Sequence, residues 1–133
     1  NNVYPLYKQA AMRGLTNVDL SSGNIMATLV DTADYAYNAA HDFIDDVPVA
    51  ARVATVALTN PTVSAAATFD ADDALFTNAT GDPAEAVIIW KNTGTESTSR
   101  LVFYLDTGIT GLPVTPGGGN ITIAWDVAGI VTL

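Results

Sequence analysis

Fourteen Asp and Glu, one histidine (His41) and no cysteine set the limits on what chemistry this chain can do. A nucleophile triad needs a hydroxyl, an imidazole base and an orienting acid, and His41 is the sole imidazole. It stands beside Asp42, Asp45 and Asp46, but no Gly-x-Ser-x-Gly elbow presents a serine to it. We read His41 as a histidine packed near surface carboxylates and assign no catalytic residue. The absence of cysteine excludes disulfides, thiolate zinc and iron–sulfur ligation.

Two groupings have the residue types a cation needs. His41 with Asp45, and Asp42 with Asp46, have i,i+4 spacing and would share helix faces. Asp70, Asp72 and Asp73 form a second cluster, but the calcium-loop pattern fails there. Ala74 and Leu75 stand where a ligand and the obligatory glycine belong, and Gly81 replaces the bidentate glutamate. We read both as solvated acidic segments, assign no metal and no cofactor, and leave open whether 70–73 holds an ion. Carboxylate pairs for glycoside hydrolysis carry no signal among fourteen acids. Trp90 and Trp125 are the side chains that could stack on sugar rings, but both fall inside apolar stretches, which favours core packing. Gly117-Gly118-Gly119 precedes a strand-like run, not a helix start, and so lacks the context of a phosphate loop.

The elements that must position these residues read as β. Val, Ile and Thr make up 38 of 133 residues, and β-branched side chains favour strands. Strands are expected at 18–20, 25–30, 52–58, 64–69, 84–91, 100–106, 121–126 and 130–133, divided by Gly, Pro, Asn and Asp. That spacing predicts one mainly β domain, an antiparallel β-sandwich or jelly-roll-like fold. The runs Ala86-Val87-Ile88-Ile89-Trp90 and Leu101-Val102-Phe103-Tyr104-Leu105 are apolar on both faces. Either the chain's own loops cover the second face or a partner does. Tyr37, Ala40, His41 and Ile44 recur at helical spacing, so a short helix is expected near residues 34–45, ended by Val47-Pro48. Residues 108–119, rich in Pro and Gly, read as a long surface loop.

Charge is unevenly placed. Residues 1–13 carry Lys8 and Arg13 and no acid, whereas the rest carries three bases and all fourteen acids. Pro5 suits a first helical position and Gly14 a helix stop, which predicts a short N-terminal helix with Tyr7, Ala10 and Ala11 on one face, either packed on its own domain or docked on an acidic neighbouring subunit. We therefore divide the chain into a helical leader, 1–14, and a single β-rich domain, 15–133. The formal net charge of −9 argues against a nucleic-acid partner. No apolar run reaches the ~18–20 residues of a membrane-spanning helix, and no charged stretch followed by an apolar one marks a signal peptide.

Several segments carry a resemblance. They are Leu29-Val30-Asp31-Thr32-Ala33-Asp34-Tyr35, His41-Asp42-Phe43, Asp46-Val47-Pro48 and Thr80-Gly81-Asp82-Pro83-Ala84-Glu85-Ala86. Further along come Lys91-Asn92-Thr93-Gly94-Thr95, Thr98-Ser99-Arg100-Leu101, Gly111-Leu112-Pro113-Val114-Thr115-Pro116 and Gly118-Gly119-Asn120-Ile121-Thr122-Ile123-Ala124-Trp125-Asp126. With the Tyr4–Arg13 stretch they make the chain resemble small virion structural proteins of tailed bacteriophages over nearly its whole length. The resemblance implies a non-enzymatic structural role and supplies no catalytic residue. On that basis we expect a capsid decoration or cement protein on the outer surface of the phage particle. Its partners would be the major capsid protein and neighbouring copies of itself, as a homo-oligomer on the virion. Tyr4, Tyr7, Lys8 and Arg13 are the expected contact residues, with the basic leader turned toward an acidic neighbour. A tail-associated virion protein and a carbohydrate-binding receptor module are the alternatives.

Overall fold

The computed structural model describes all residues, Asn1–Leu133. Ten strands and one helix follow in the order β1 (Asn2–Val3), α1 (Pro5–Met12), β2 (Ile25–Val30), β3 (Arg52–Ala57), β4 (Thr62–Val63), β5 (Thr68–Asp70), β6 (Ala74–Phe76), β7 (Ala86–Lys91), β8 (Leu101–Leu105), β9 (Ile121–Ile123) and β10 (Val131–Thr132). The fold is mainly β, antiparallel throughout and sandwich-like. A five-stranded sheet runs β1-β8-β7-β2-β3, beside a three-stranded sheet β10-β5-β4 and the pair β6-β9. The 18–20 stretch forms no strand, while β1 and β6 are strands that composition does not announce.

Strands β7 and β8 sit at the centre of the large sheet and every residue from Ala86 to Trp90 and from Leu101 to Leu105 is buried. Alternate side chains of a strand point to opposite faces, and both faces are covered by this chain itself. On one, the Phe103 ring packs against Phe69 of β5, centroids 5.7 Å apart. On the other, Tyr104 packs against Tyr35 and Tyr37 at 6.3 and 5.7 Å. The two-sided apolar runs therefore need no partner, and they give no argument for assembly.

The covering segment on the second face is 31–48, and it is not the helix expected near 34–45. Only Ile44–Asp46 makes a single 3-10 turn. Acidic and amide side chains there capture backbone N–H groups that a helix would use. Asp31 Oδ1 accepts from the N–H of Ala33, Asn38 Oδ1 from Ala40, and Asp46 Oδ2 from Asp42 at 2.9 Å. The chain then runs beside the start of β8, where Ile44 N–H donates to Ser99 O and Leu101 N–H to Asp42 O. The i,i+4 pairings of His41 with Asp45 and Asp42 with Asp46 lose their helical basis with it.

Segment 1–14 is built into this body. β1 pairs with β8 at the edge of the large sheet, and Tyr4 and Tyr7 belong to the same core cluster as β7 and β8. Pro5 occupies the first helical turn as expected. The helix ends in a Schellman arrangement: Gly14 N–H donates to Ala11 O and Leu15 N–H to Ala10 O. That closure requires Gly14 at φ +64°, a conformation that glycine adopts without penalty. Tyr7 and Ala10 face inward, but Ala11 is exposed. The 108–119 loop is held down on β9 at Gly111 (φ +108°), where a Cβ would lie 2.5 Å from Thr122 O.

Candidate partner-binding surface

Helix α1 has one anchored face and one open face. On the anchored side, Tyr4 is fully buried at the N-cap and Tyr7 is 5% exposed. Tyr7 donates its hydroxyl hydrogen to Val18 O at 2.9 Å. Burial, with Asp19 nearby, pushes the Tyr7 phenol up to about 12. Burial and the bond to Tyr35 push Tyr4 higher still. These placements give two of the four expected contact residues, Tyr4 and Tyr7, a role inside the domain. Tyr4 is enclosed by the domain's own core, and Tyr7 meets the surface only in the lining of an apolar cleft. Sequence spacing cannot tell an aromatic that anchors a helix from one that the helix presents.

Lys8 and Arg13 are on the open side and exposed, as is Met12 at 88%. Neither cation makes an ion pair or a side-chain hydrogen bond with the rest of the chain; the two ion pairs are Asn1 amine–Asp106 and Arg52–Glu96. The other three cations serve the fold. Lys91 Nζ donates to the carbonyls of Asp19 and Ser22. Arg100 donates to Thr16 O and lies 5.3 Å over the Phe43 ring. Arg52 donates to Ile44 O and Val47 O and clamps Glu96 with two nitrogens. The Arg52 guanidinium holds the Glu96 carboxyl below its usual value.

Behind the anchored face, His41 closes a polar relay. Asn38 Oδ1 accepts from Ala40, so the Asn38 amide nitrogen faces His41 Nε2 at 3.2 Å and donates to it. His41 Nδ1 then carries the hydrogen and donates to the Tyr35 oxygen at 3.0 Å, and Tyr35 shares a 3.0 Å hydrogen bond with Tyr4. Both ring nitrogens are engaged with Asn38 and Tyr35, and no serine or threonine hydroxyl bonds to the imidazole. The ring stacks on Tyr35 with centroids 5.6 Å apart. Nearby, burial and the Asp46 charge raise the Asp42 carboxyl. Burial opposes ionisation of Asp46 as well, but the N–H groups of Asp42 and Phe43 outweigh it and hold that carboxyl low.

The two tryptophans have different environments. Trp90 is core, with Nε1 donating to Thr28 Oγ1 at 2.8 Å. Trp125 is partly buried, packs against the edge of the hydrophobic core and lies just beyond β9, not inside a strand. It lines a groove of about 350 Å³ with Val127, which is fully exposed, and with Asp70, Asp72, Asp73 and Asp126. Its N–H donates to Asp73 Oδ1 and its indole Nε1 to Asp72 O. Asp72 Oδ2 also accepts from Thr59 and Asn60, so these carboxylates brace local loops as well as forming the groove wall.

The acids of 70–73 do not converge on one point. Only Asp31, Asp34 and Asp82 bring three carboxylate oxygens within 4.8 Å of one another, a grouping that spacing along the chain does not reveal. Asp31 is already committed to the Ala33 N–H, and exposed carboxylates commonly gather without a cation. A separate apolar cleft of about 380 Å³ lies beneath Tyr7, between Leu20, Val63, Phe69, Phe103 and Leu133. No helix is long and apolar enough to cross a membrane. Compared with models of known protein families and with curated proteins, the chain matches none.

Proposed function

We propose that the chain is a non-enzymatic virion structural protein of a tailed phage, acting as a capsid decoration or cement protein on the outer surface of the particle. The resemblance supplies the virion setting. The observation that carries the binding role is the open face of α1, where Lys8 and Arg13 stand unpaired beside an exposed Met12 on a helix whose other face is locked into the core. An unpaired cation pair beside an apolar tip suits an acidic surface of the capsid protein or of a neighbouring copy. Many copies on one lattice would convert a weak contact into firm attachment. The acidic remainder would face water and limit nonspecific association.

Particles lacking the protein should lose heat or osmotic resistance and regain it when purified protein is added back. Unchanged resistance of such particles would remove the cement role. Imaging of intact particles separates a head position from the tail-associated alternative. One observation favours a second reading, a carbohydrate-binding receptor module: the partly buried Trp125 indole, lining a polar groove, suits contact with a sugar. Glycan binding that quenches Trp125 fluorescence and disappears in Trp125→Ala would support it.

A further inference from the structure

The open face of α1 and the Trp125 groove are complementary surfaces of the same chain. One projects Lys8, Met12 and Arg13, with no internal partner for either charge. The other is an open, mainly polar groove of about 350 Å³ lined by the partly buried Trp125, with the fully exposed Val127 projecting beside it. Its walls carry Asp70, Asp72, Asp73 and Asp126, none of which meets a Lys or Arg of its own chain. The two surfaces share no residue. A single molecule therefore carries a plug and a socket of opposite charge, with an exposed apolar side chain, Met12 or Val127, beside each.

We propose that the outer face of α1 seats in the Trp125 groove of a second copy, so that the protein self-associates through these two patches. This rests on the reading of α1 as a docking face and names its partner. In the contact, Met12 lies against the indole, where a thioether is favourably placed near an aromatic edge. Lys8 and Arg13 meet the carboxylates of the wall, and Val127 is covered. The contact is heterologous in kind: one surface of a copy meets a different surface of the next, which propagates into rings or arrays unless two copies dock reciprocally. Partners identical in net charge repel at long range. At about 0.1 M salt that repulsion is screened beyond about 10 Å, whereas pairs in close contact persist.

The test is sedimentation of the purified chain up to millimolar concentration at about 0.1 M salt, with two variants that leave buried groups untouched. Lys8→Glu/Arg13→Glu reverses the plug. Asp126→Asn/Val127→Lys charges the socket, and the asparagine still accepts the Ala128 N–H that Asp126 holds at 2.8 Å. The wild type should self-associate, and each variant alone should do so roughly tenfold more weakly or worse. Mixed together, the variants should form a complex, because the intact groove of the first receives the intact helix of the second. A wild type that stays monomeric, variants that associate normally, or a mixture that does not recover association would each overturn the proposal. Rebinding of the same proteins to stripped heads separates it from the broader reading. Monomeric wild type whose head binding is lost in Lys8→Glu/Arg13→Glu overturns self-docking alone. Head binding indifferent to that variant overturns α1 as the lattice contact.

Discussion

The inner and outer faces of α1 are built from the same eight residues and do opposite things. The inner face contributes Tyr7 and Ala10, with Tyr4 at the cap, and each polar atom there has a partner within the domain. The outer face contributes Lys8 and Met12, with Arg13 at the C-cap, and makes no side-chain hydrogen bond to the rest of the chain. The same division holds among the cations: Arg52, Lys91 and Arg100 tie down backbone carbonyls, whereas Lys8 and Arg13 tie down nothing. A side chain already satisfied inside the domain explains the fold. One left unsatisfied on a rigid support is available to something outside it.

Removal of the anchor should have the largest effect. Tyr4→Ala deletes a fully buried ring that packs 5.3 Å from Tyr37 and ends the relay to His41. The expected loss is about 4 kcal/mol in urea unfolding, within the range for buried aromatic truncations and enough to unfold a marginal domain. Tyr4→Phe keeps the ring and should cost about 1 kcal/mol through the lost hydrogen bond. A Tyr4→Ala loss as small as that of Tyr4→Phe would mean that the inner face does not anchor the helix.

Alkali probes the same face. The Tyr4 and Tyr7 phenols are raised from their ordinary value of 10.0, chiefly by burial. The unfolded chain therefore ionises first, and the contribution of these groups is whole below pH 10 and declines as pH rises through the folded values. Each phenol forfeits about 1.4 kcal/mol per pH unit in that window. Burial raises the Tyr35 and Tyr104 phenols as well, so denaturant unfolding at pH 11 should show at least about 3 kcal/mol less stability than the plateau between pH 8 and 9. Tyr7→Phe should flatten that slope. A stability that does not change between pH 9 and 11 would place both rings in water.

What was legible in the sequence follows the same line between local and distant causes. Pro5 and Gly14 mark the bounds of α1 because their effects act within one turn. The run 25–30 is a strand because its β-branched and apolar residues favour pleated backbone. By contrast, Asn2–Val3 is a strand only because β8 lies beside it, and no property of two residues predicts that. The helical spacing of Tyr37, Ala40, His41 and Ile44 misleads, since Asp31, Asn38 and Asp46 draw off the N–H groups and tertiary pairing with β8 decides the rest. Both candidate surfaces were half-visible. Lys8 and Arg13 stand out in the sequence as the only charged side chains of an acid-free N-terminal stretch. The core role of Tyr4 and Tyr7 is not legible in their spacing, because burial is a property of the whole fold. The groove has no signature in the sequence, because Trp125 and Asp73 meet across a separation of 52 residues.

The next effect in size tests the satisfied cations. Arg52 is 16% exposed at its side chain and serves two carbonyls and one carboxylate. Arg52→Ala leaves the carbonyls of Ile44 and Val47 without that donor and should cost about 2 kcal/mol. Arg52→Lys should recover only part of it, since an ammonium cannot reproduce the planar fork. A full recovery would show that charge alone, not the fork, holds 44–47 in place.

The smallest effect is the one that most sharpens the contrast. Lys8→Ala/Arg13→Ala removes two charges from an acidic protein, yet neither side chain is bonded to anything in the domain. Stability of the isolated chain at low concentration should stay within about 0.5 kcal/mol of wild type. Any loss should come from α1 itself, where alanine replaces lysine at little cost in helix propensity. A loss comparable to that of Arg52→Ala would place Lys8 or Arg13 among the structural ties. The outer face would then be an extension of the inner one, and the argument for α1 as a docking surface would end there.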